Sequence, residues 1–328
     1  MVKNVLFLAP HTKIAGGTRV IFQLADLLGQ SGFKVTVAVP KYGNKSVLSI
    51  FNNGVHFTLI KVPNFDHRKL PHHDVLIDFC DNLVNIRTKA LKILFLQGFG
   101  TQNFQLELSR IKAKHNHVIV VSKWLGNVVK STGIKNVSVI PPGIGELFTP
   151  QSITPNRLVS IGAIYHNAPA KNLKIFIEAC KRVHDRNNKS RAIFVSSKII
   201  PSLDAYGFEY SSFINPPQYL LPIIYSNCDV WVNTSINEGF GLPTLEAMAC
   251  GCPVVSIKNF GLDEYLINKQ NCMLLQQNAT GNELYSSIIE LLNNKELRDK
   301  VITNGRALAA QFTWKRCVHQ WVTVLRGL

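Results

Sequence analysis

Asn233-Thr-Ser-Ile-Asn-Glu238-Gly239-Phe240-Gly241-Leu242-Pro243-Thr-Leu-Glu246-Ala-Met-Ala-Cys-Gly251-Cys-Pro253 is the most informative stretch of this 328-residue chain. It follows the apolar run Val230 to Asn233 and opens a segment of helical spacing. Pro243 suits a first helical turn, where a missing N–H costs nothing, and Gly251 suits the position just past a helix end. Gly239 and Gly241 let the backbone of Gly239-Phe240-Gly241-Leu242 come close to a ligand, while the first N–H groups of the helix stay free to bind an anion. A phosphate or a polyhydroxyl compound fits that geometry. Glu246 is expected in about the first turn of the helix, where a carboxylate is stabilised, and Glu238 stands on the loop eight residues earlier. Alone, either would be an ordinary helix-end or loop charge. Together, beside two glycines, they read as a binding site.

Outward from this stretch, short apolar runs alternate with helical periodicity. Val5 to Ala9, a glycine-containing loop, the stripe Val20, Ile21, Leu24, Ala25, Leu27 and Leu28, and then Val35 to Val39 form a βαβ unit. Asp74 to Ile77, Lys92 to Leu96, Val118 to Val121 and Val137 to Ile140 are nearly continuous apolar runs, as in parallel strands covered by helices on both faces. After Pro141-Pro142-Gly143-Ile144-Gly145-Glu146 and a stretch through Pro150 and Pro155, the pattern restarts with strands at Leu158 to Ile161, Ala192 to Val195, Val230 to Asn233 and Val254 to Ile257. The fold class is therefore α/β, with two Rossmann-like, doubly wound domains, 1–150 and 151–313. Three helices close the chain: Asn282 to Leu292, Glu296 to Ala310 and Trp314 to Leu325, the last with Thr313 as its expected N-cap. In open α/β sheets ligands bind at the carboxyl ends of strands, so the expected site lies in a cleft lined by strand-to-helix loops of both domains.

Composition narrows the function classes. The longest charge-free stretch, Tyr210 to Cys228, is interrupted by three prolines, and the N-terminal apolar run is too short for a signal-peptide core. A cytoplasmic protein is expected. Seven scattered cysteines contain no Cys-x-x-Cys, and the ten histidines form no His-Glu-x-x-His or comparable set, so neither disulfides nor a metal site is expected. The net charge of +16 is concentrated in residues 1–150, which carry 18 Lys and Arg against 7 Asp and Glu. Such a field could serve nucleic acid, an anionic membrane face or a phosphorylated substrate.

The stretch Glu238 to Pro253, with its Glu-x7-Glu spacing and Glu-Gly-Phe-Gly-Leu-Pro core, closely resembles the signature of retaining glycosyltransferases of family 4, which have the two-domain GT-B fold. Gly16-Gly17-Thr18, Val120-Val121-Ser122, Pro142-Gly143-Ile144, Lys171-Asn172 and Phe312-Thr313-Trp314 look like further landmarks of that family. The resemblance implies that Glu246 holds the donor ribose, that Glu238 contacts the donor sugar and that Lys171 neutralises the leaving diphosphate. It also implies that Gly16, Gly17 and Thr18 offer backbone donors across the cleft, and that the last helix, 314–328, rejoins the first domain. Two departures stand out. Where relatives have Gly-Arg after the first strand of the second domain, this chain has Gly162-Ala163, with Lys198 as the expected compensation. Where relatives carry a histidine near the donor sugar, this chain offers Gln97.

The resulting expectation is a retaining glycosyltransferase without metal or other cofactor. It would take a nucleoside diphosphate sugar on the second domain and a glycan, lipid-linked or other hydroxyl acceptor on the first. The absence of Asp-x-Asp, the usual metal–diphosphate chelator of the other large glycosyltransferase fold, agrees with metal independence. An anionic membrane surface is a further expected partner of the basic domain. Two alternatives compete: a nucleotide-sugar epimerase of the same fold, which needs acid and base residues not found here, and a non-catalytic polyanion- or nucleic-acid-binding protein. The second lacks any nucleic-acid-reading motif, so nucleic acid is not an expected partner.

Overall fold

The computed structural model describes residues 2–12, 16–40, 47–51, 54–79, 86, 88–98, 115–152, 158–187 and 189–328. It divides into two compact units, Met1–Gly143 with Trp314–Leu328, and Ile144–Thr313. The boundary expected at Pro150 thus falls earlier. Ile144 to Pro150 go with the second unit, because Phe148 is buried there against the Tyr225 ring, 6.1 Å between centroids.

The first unit begins with β1 (Asn4–Leu8), α1 (Gly16–Gln30), β2 (Lys34–Val39) and β3 (Phe57–Lys61). It continues through β4 (Val75–Asp78), β5 (Leu91–Leu96), β6 (His117–Val120), α2 (Lys123–Ser131) and β7 (Val137–Val139). The second unit holds β8 (Val159–Tyr165), α3 (Leu173–Asn187), β9 (Ser190–Ser196), β10 (Glu209–Ile214), α4 (Leu221–Ser226), β11 (Val230–Asn233) and α5 (Leu242–Ala249). Then come β12 (Val254–Ile257), β13 (Met273–Leu275), α6 (Gly281–Asn293) and α7 (Lys295–Ala309). The final helix, α8 (Trp314–Gly327), belongs to the first unit.

Both sheets are parallel at every registered pair. Their orders are β3-β2-β1-β4-β5-β6-β7 and β10-β9-β8-β11-β12-β13, so chain direction along the sheet reverses between β1 and β4 and again between β8 and β11. Ligands collect outside the carboxyl ends of strands at such a reversal, because the two adjoining loops turn away to opposite faces and leave a crevice. The central strands are mainly apolar, as expected where both faces are covered, and β1, β4 and β12 are buried almost end to end. On α1 the stripe Val20, Ile21, Leu24, Ala25 and Leu28 is no more than 3% exposed. On α8 the buried residues Cys317, Trp321 and Leu325 recur every four positions, and Trp321 sets its ring edge-on to Phe95 at 5.0 Å. Thr280 and Glu283 form a reciprocal capping box at the start of α6.

Three strands, β3, β10 and β13, go beyond the sequence-based expectation. β10 is an edge strand of mixed exposure with Ser211 and Ser212 at its middle, and β13 is three residues long, so neither has the apolar continuity of a central strand. The strand expected at Leu158 to Ile161 runs on to Tyr165. Gly162 and Ala163 are thus inside the sheet rather than on a loop, and a Cβ on Gly162 would lie 2.4 Å from the Trp231 ring.

Six cysteines, 180, 228, 250, 252, 272 and 317, are free and buried, and Cys80 is outside the described residues. Burial pushes all six thiols up, Cys250, Cys272 and Cys317 to about 12, so they are unreactive side chains of the core. Among the described residues no helix is long and apolar enough to cross a membrane.

Candidate active site

The reversal between β8 and β11 puts two loops side by side. After β8 the chain passes His166 and forms a single 3-10 turn, Pro169–Lys171, which ends on Asn172 in the left-handed conformation. After β11 it runs from Thr234 to Gly241. Two hydrogen bonds tie the loops together: Thr234 Oγ1 donates to the Lys171 carbonyl at 2.7 Å, and the Ile236 N–H donates to the Ala170 carbonyl at 2.8 Å. This backbone frame carries an ion pair between Lys171 Nζ and Glu238 Oε1 at 2.5 Å. Both side chains are partly exposed, at 28% and 19%, so the pair is open to a ligand yet sheltered from full solvent screening.

The Glu238–Gly241 loop is held from a third side. Asn259, only 2% exposed, donates to the Ser235 carbonyl at 3.1 Å, and the Gln277 amide donates to the Ile236 carbonyl at 2.9 Å. Gly261 approaches so closely that a Cβ there would lie 2.4 Å from the Glu238 carbonyl oxygen. Tyr265 donates its hydroxyl to the Phe240 carbonyl, and the rings of Phe240, Tyr265 and Phe312 form a cluster with centroids 5.2 to 5.7 Å apart. Burial, and then the charge of Glu238, drive the Tyr265 hydroxyl well above its ordinary value, so it stays a donor. Gly241 itself has φ +84° and caps α5, with Leu262 directly over its α-carbon. The loop is therefore a rigid element.

Pro243 lies in the first turn of α5. Glu246, expected in about the first turn, is the fifth residue of α5 and sits in the second turn, 2% exposed. Its Oε2 accepts the Tyr225 hydroxyl at 3.0 Å, and the Tyr225 ring packs edge-on to Trp231 at 4.6 Å. The two carboxylates of the signature thus differ in kind. Glu238 is an accessible group paired with a lysine, and Glu246 is a buried one fixed by a phenol.

Lys198 follows β9 and is exposed. Its main chain is fixed by Ser196, whose Oγ accepts from the Lys198 N–H at 3.1 Å and donates to its carbonyl at 2.7 Å. In the first unit, Gly16 and Gly17 open α1, and Thr18 is buried at 2%. Gln97, just beyond β5, donates its amide to the Gly17 carbonyl at 3.2 Å. The structure therefore joins Lys171 to Glu238 in one unit and Gln97 to Gly17 in the other.

His166 was missed. Its ring is exposed, Nδ1 accepts the Ala168 N–H at 3.0 Å, and the charges of Lys171 and Lys198 act on it. Because β8 runs four residues past Ile161, His166 stands at the head of the loop. Among the described residues no group of three or more His, Cys, Asp or Glu side chains could hold a metal ion.

Comparison with known proteins finds a family similarity over the second unit and a fold similarity over the whole chain. Residues 150–308 match the family described as "Glycosyl transferases group 1". An uncharacterized glycosyltransferase of Methanocaldococcus jannaschii is 28% identical over 209 residues, 61% of this chain and 56% of that one. The match therefore spans little more than half the length of that relative. Among solved structures, sucrose-phosphate synthase from Thermosynechococcus elongatus superposes with a TM-score of 0.83 at 17% identity, over 99% of this chain and 98% of that one. Anabaena Alr3699/HepE, crystallised with UDP and glucose, gives 0.82 at 18% identity over 99% and 100%. At these identities the likeness shows the fold, GT-B.

Proposed function

Residues 150–308 belong to the glycosyl transferases group 1 family, and from that premise we propose that this chain is a retaining glycosyltransferase using a nucleoside diphosphate sugar. The observation that carries the reading is the Lys171–Glu238 pair, mounted on tied loops at the strand-order reversal of the second unit. A cation there stabilises the charge that builds on a departing diphosphate, and it is most effective when it needs no reorganisation during the reaction. Glu238 can accept hydrogen bonds from sugar hydroxyls once Lys171 turns to phosphate. Glu246 would accept those of the ribose, each charge-assisted bond being worth about 1.5–3 kcal/mol. At the start of α5, preceded by Gly239 and Gly241, the Leu242 N–H supplies a further donor for anionic oxygens; Pro243 has no N–H, and the Thr244 and Leu245 N–H groups donate to the Gly241 carbonyl, so the free helix-start amides expected from the sequence reduce to this one. The bound UDP and glucose of the Anabaena structure support a donor of this class.

Because lysines and backbone amides supply the countercharge, the transfer proceeds without metal. The departing diphosphate guides the acceptor hydroxyl to the face it leaves, which retains the anomeric configuration. The basic first unit, with Gln97 fastened to Gly17, would hold the acceptor, and its positive field suits a phosphate-linked acceptor at an anionic membrane face. The test is product NMR after incubation with nucleotide sugars and candidate acceptors in EDTA. A retained anomeric centre is the expected result. An inverted product, or activity that only Mg²⁺ or Mn²⁺ restores, contradicts it.

A further inference from the structure

His166 stands at the carboxyl end of β8, whose last residue, Tyr165, pairs in register with Ser196, the last residue of the neighbouring strand β9. Lys198 follows Ser196 by two positions, and Lys171 closes the Pro169–Lys171 turn that follows His166. Three nitrogen-bearing side chains from two adjacent strand ends thus share one mouth of the sheet, with Glu238 joined to one of them. The imidazole is exposed, and its hydrogen bond with the main chain, 3.0 Å from the Ala168 N–H to Nδ1, lies within its own loop. This bond has a chemical consequence. A ring nitrogen that accepts an N–H is unprotonated, so the proton of the neutral ring sits on Nε2, leaving that edge a hydrogen-bond donor. Protonating Nδ1 would set one N–H against another.

We propose that His166 binds the donor substrate as a neutral, tautomer-fixed Nε2–H group, donating to a diphosphate oxygen of the nucleotide sugar beside Lys171 and Lys198. The proposal rests on the nucleotide-sugar reading given above and adds a residue to it. Phosphate oxygen is the acceptor the surroundings select, because Lys198, and Lys171 once it turns from Glu238 to phosphate, draw negative charge to this mouth and an N–H bonds most strongly to an anion. The other influences act in the same sense as the Ala168 bond: burial, then Lys171, then Lys198 lower the ring's proton affinity. The carboxylate of Glu238 is engaged by Lys171. A neutral donor keeps its contact above the ordinary imidazole range, where an imidazolium would lose its charge.

The experiment is calorimetric binding of UDP-glucose, GDP-mannose and ADP-glucose to the wild-type chain, His166→Ala and His166→Gln, in EDTA at about pH 7 and about pH 9. The diphosphate in these probes is esterified at both ends and does not titrate in that range. His166→Ala should weaken the best-bound probe about tenfold or more at both pH values. His166→Gln, which restores an amide N–H in place of Nε2, should stay within about threefold of wild type. Equal affinity of wild type and His166→Ala overturns the proposal. So does a wild-type affinity that falls between the two pH values and no longer does so in His166→Ala, since the ring would then act as a cation. If none of the three probes binds the wild-type chain, the nucleotide-sugar reading fails first, and this proposal with it.

Discussion

Replacing Gly241 by alanine separates two costs that the structure sets at one residue. The first is conformational: Gly241 has φ +84°, where a side chain costs about 1–2 kcal/mol. The second is steric: a Cβ there would lie 2.3 Å from Leu262 Cδ2 and 2.9 Å from its Cγ. Leu262 is itself fully buried and cannot swing into solvent, so the overlap adds an overpacking cost of about 1–3 kcal/mol. Gly207 supplies the control within the same unit, with φ +71° but nothing within 4 Å of the place a Cβ would take. Urea unfolding should therefore show Gly207→Ala destabilised by about 1–2 kcal/mol and Gly241→Ala by about 2–5 kcal/mol. Truncating Leu262 as well isolates the steric part. In a double-mutant cycle, Gly241→Ala should cost less in a Leu262→Ala background, by about 1 kcal/mol or more. Equal destabilisation by the two glycine replacements, or strict additivity with Leu262→Ala, would mean that Leu262 does not clamp the Glu238–Gly241 loop.

Glu246→Gln keeps the volume of a buried side chain and should weaken nucleotide affinity about tenfold by calorimetry, whereas Glu238→Gln should mainly lower turnover. The Asp74 carboxyl is held down at about 2, chiefly by the Asn4 N–H and then the Lys3 N–H, so its stabilising effect is present above the unfolded value of about 4 and is lost as pH falls through 2. Asp74→Asn should accordingly unfold at lower urea than wild type near neutrality, and the two midpoints should converge toward about pH 2. Co-sedimentation with anionic liposomes should occur at low salt and be released by high salt, since the field fades over about 8 Å at physiological ionic strength; equal partitioning at both salts would exclude electrostatic docking.

Much of the fold was legible because central parallel strands are buried on both faces and leave near-continuous apolar runs, as in β1, β4 and β12. The conformations at Gly241 and Pro243 were legible because chain chemistry fixes them, a left-handed cap and a proline in the first turn, whereas Glu246 lies one turn deeper than its spacing suggested. What escaped depends on packing. β10 has one unpaired edge and carries serines where a central strand would carry valines. Gly261 matters only because the Glu238 carbonyl lies against it, and those residues are 23 positions apart in sequence. The end of β8 was misplaced because Gly162 resembles the start of a loop, whereas it is the hollow that receives the Trp231 ring. With β8 ending at Tyr165, His166 rather than Ala163 heads the loop. The depth of Glu246 was likewise invisible, since the phenol that fixes it comes from α4, 21 residues upstream.

If the mouth of the second sheet, built on Lys171 and Glu238, is a nucleotide-sugar site, a bound nucleotide sugar must restrain the two loops that form it. Hydrogen exchange of the wild-type chain with and without UDP-glucose, GDP-mannose and ADP-glucose, in EDTA, measures that restraint. At least one of the three should slow exchange in peptides covering residues 166–172 and 234–246. Unchanged exchange in both segments with all three compounds, or protection confined to other parts of the chain, would mean that the site lies elsewhere or binds another class of ligand.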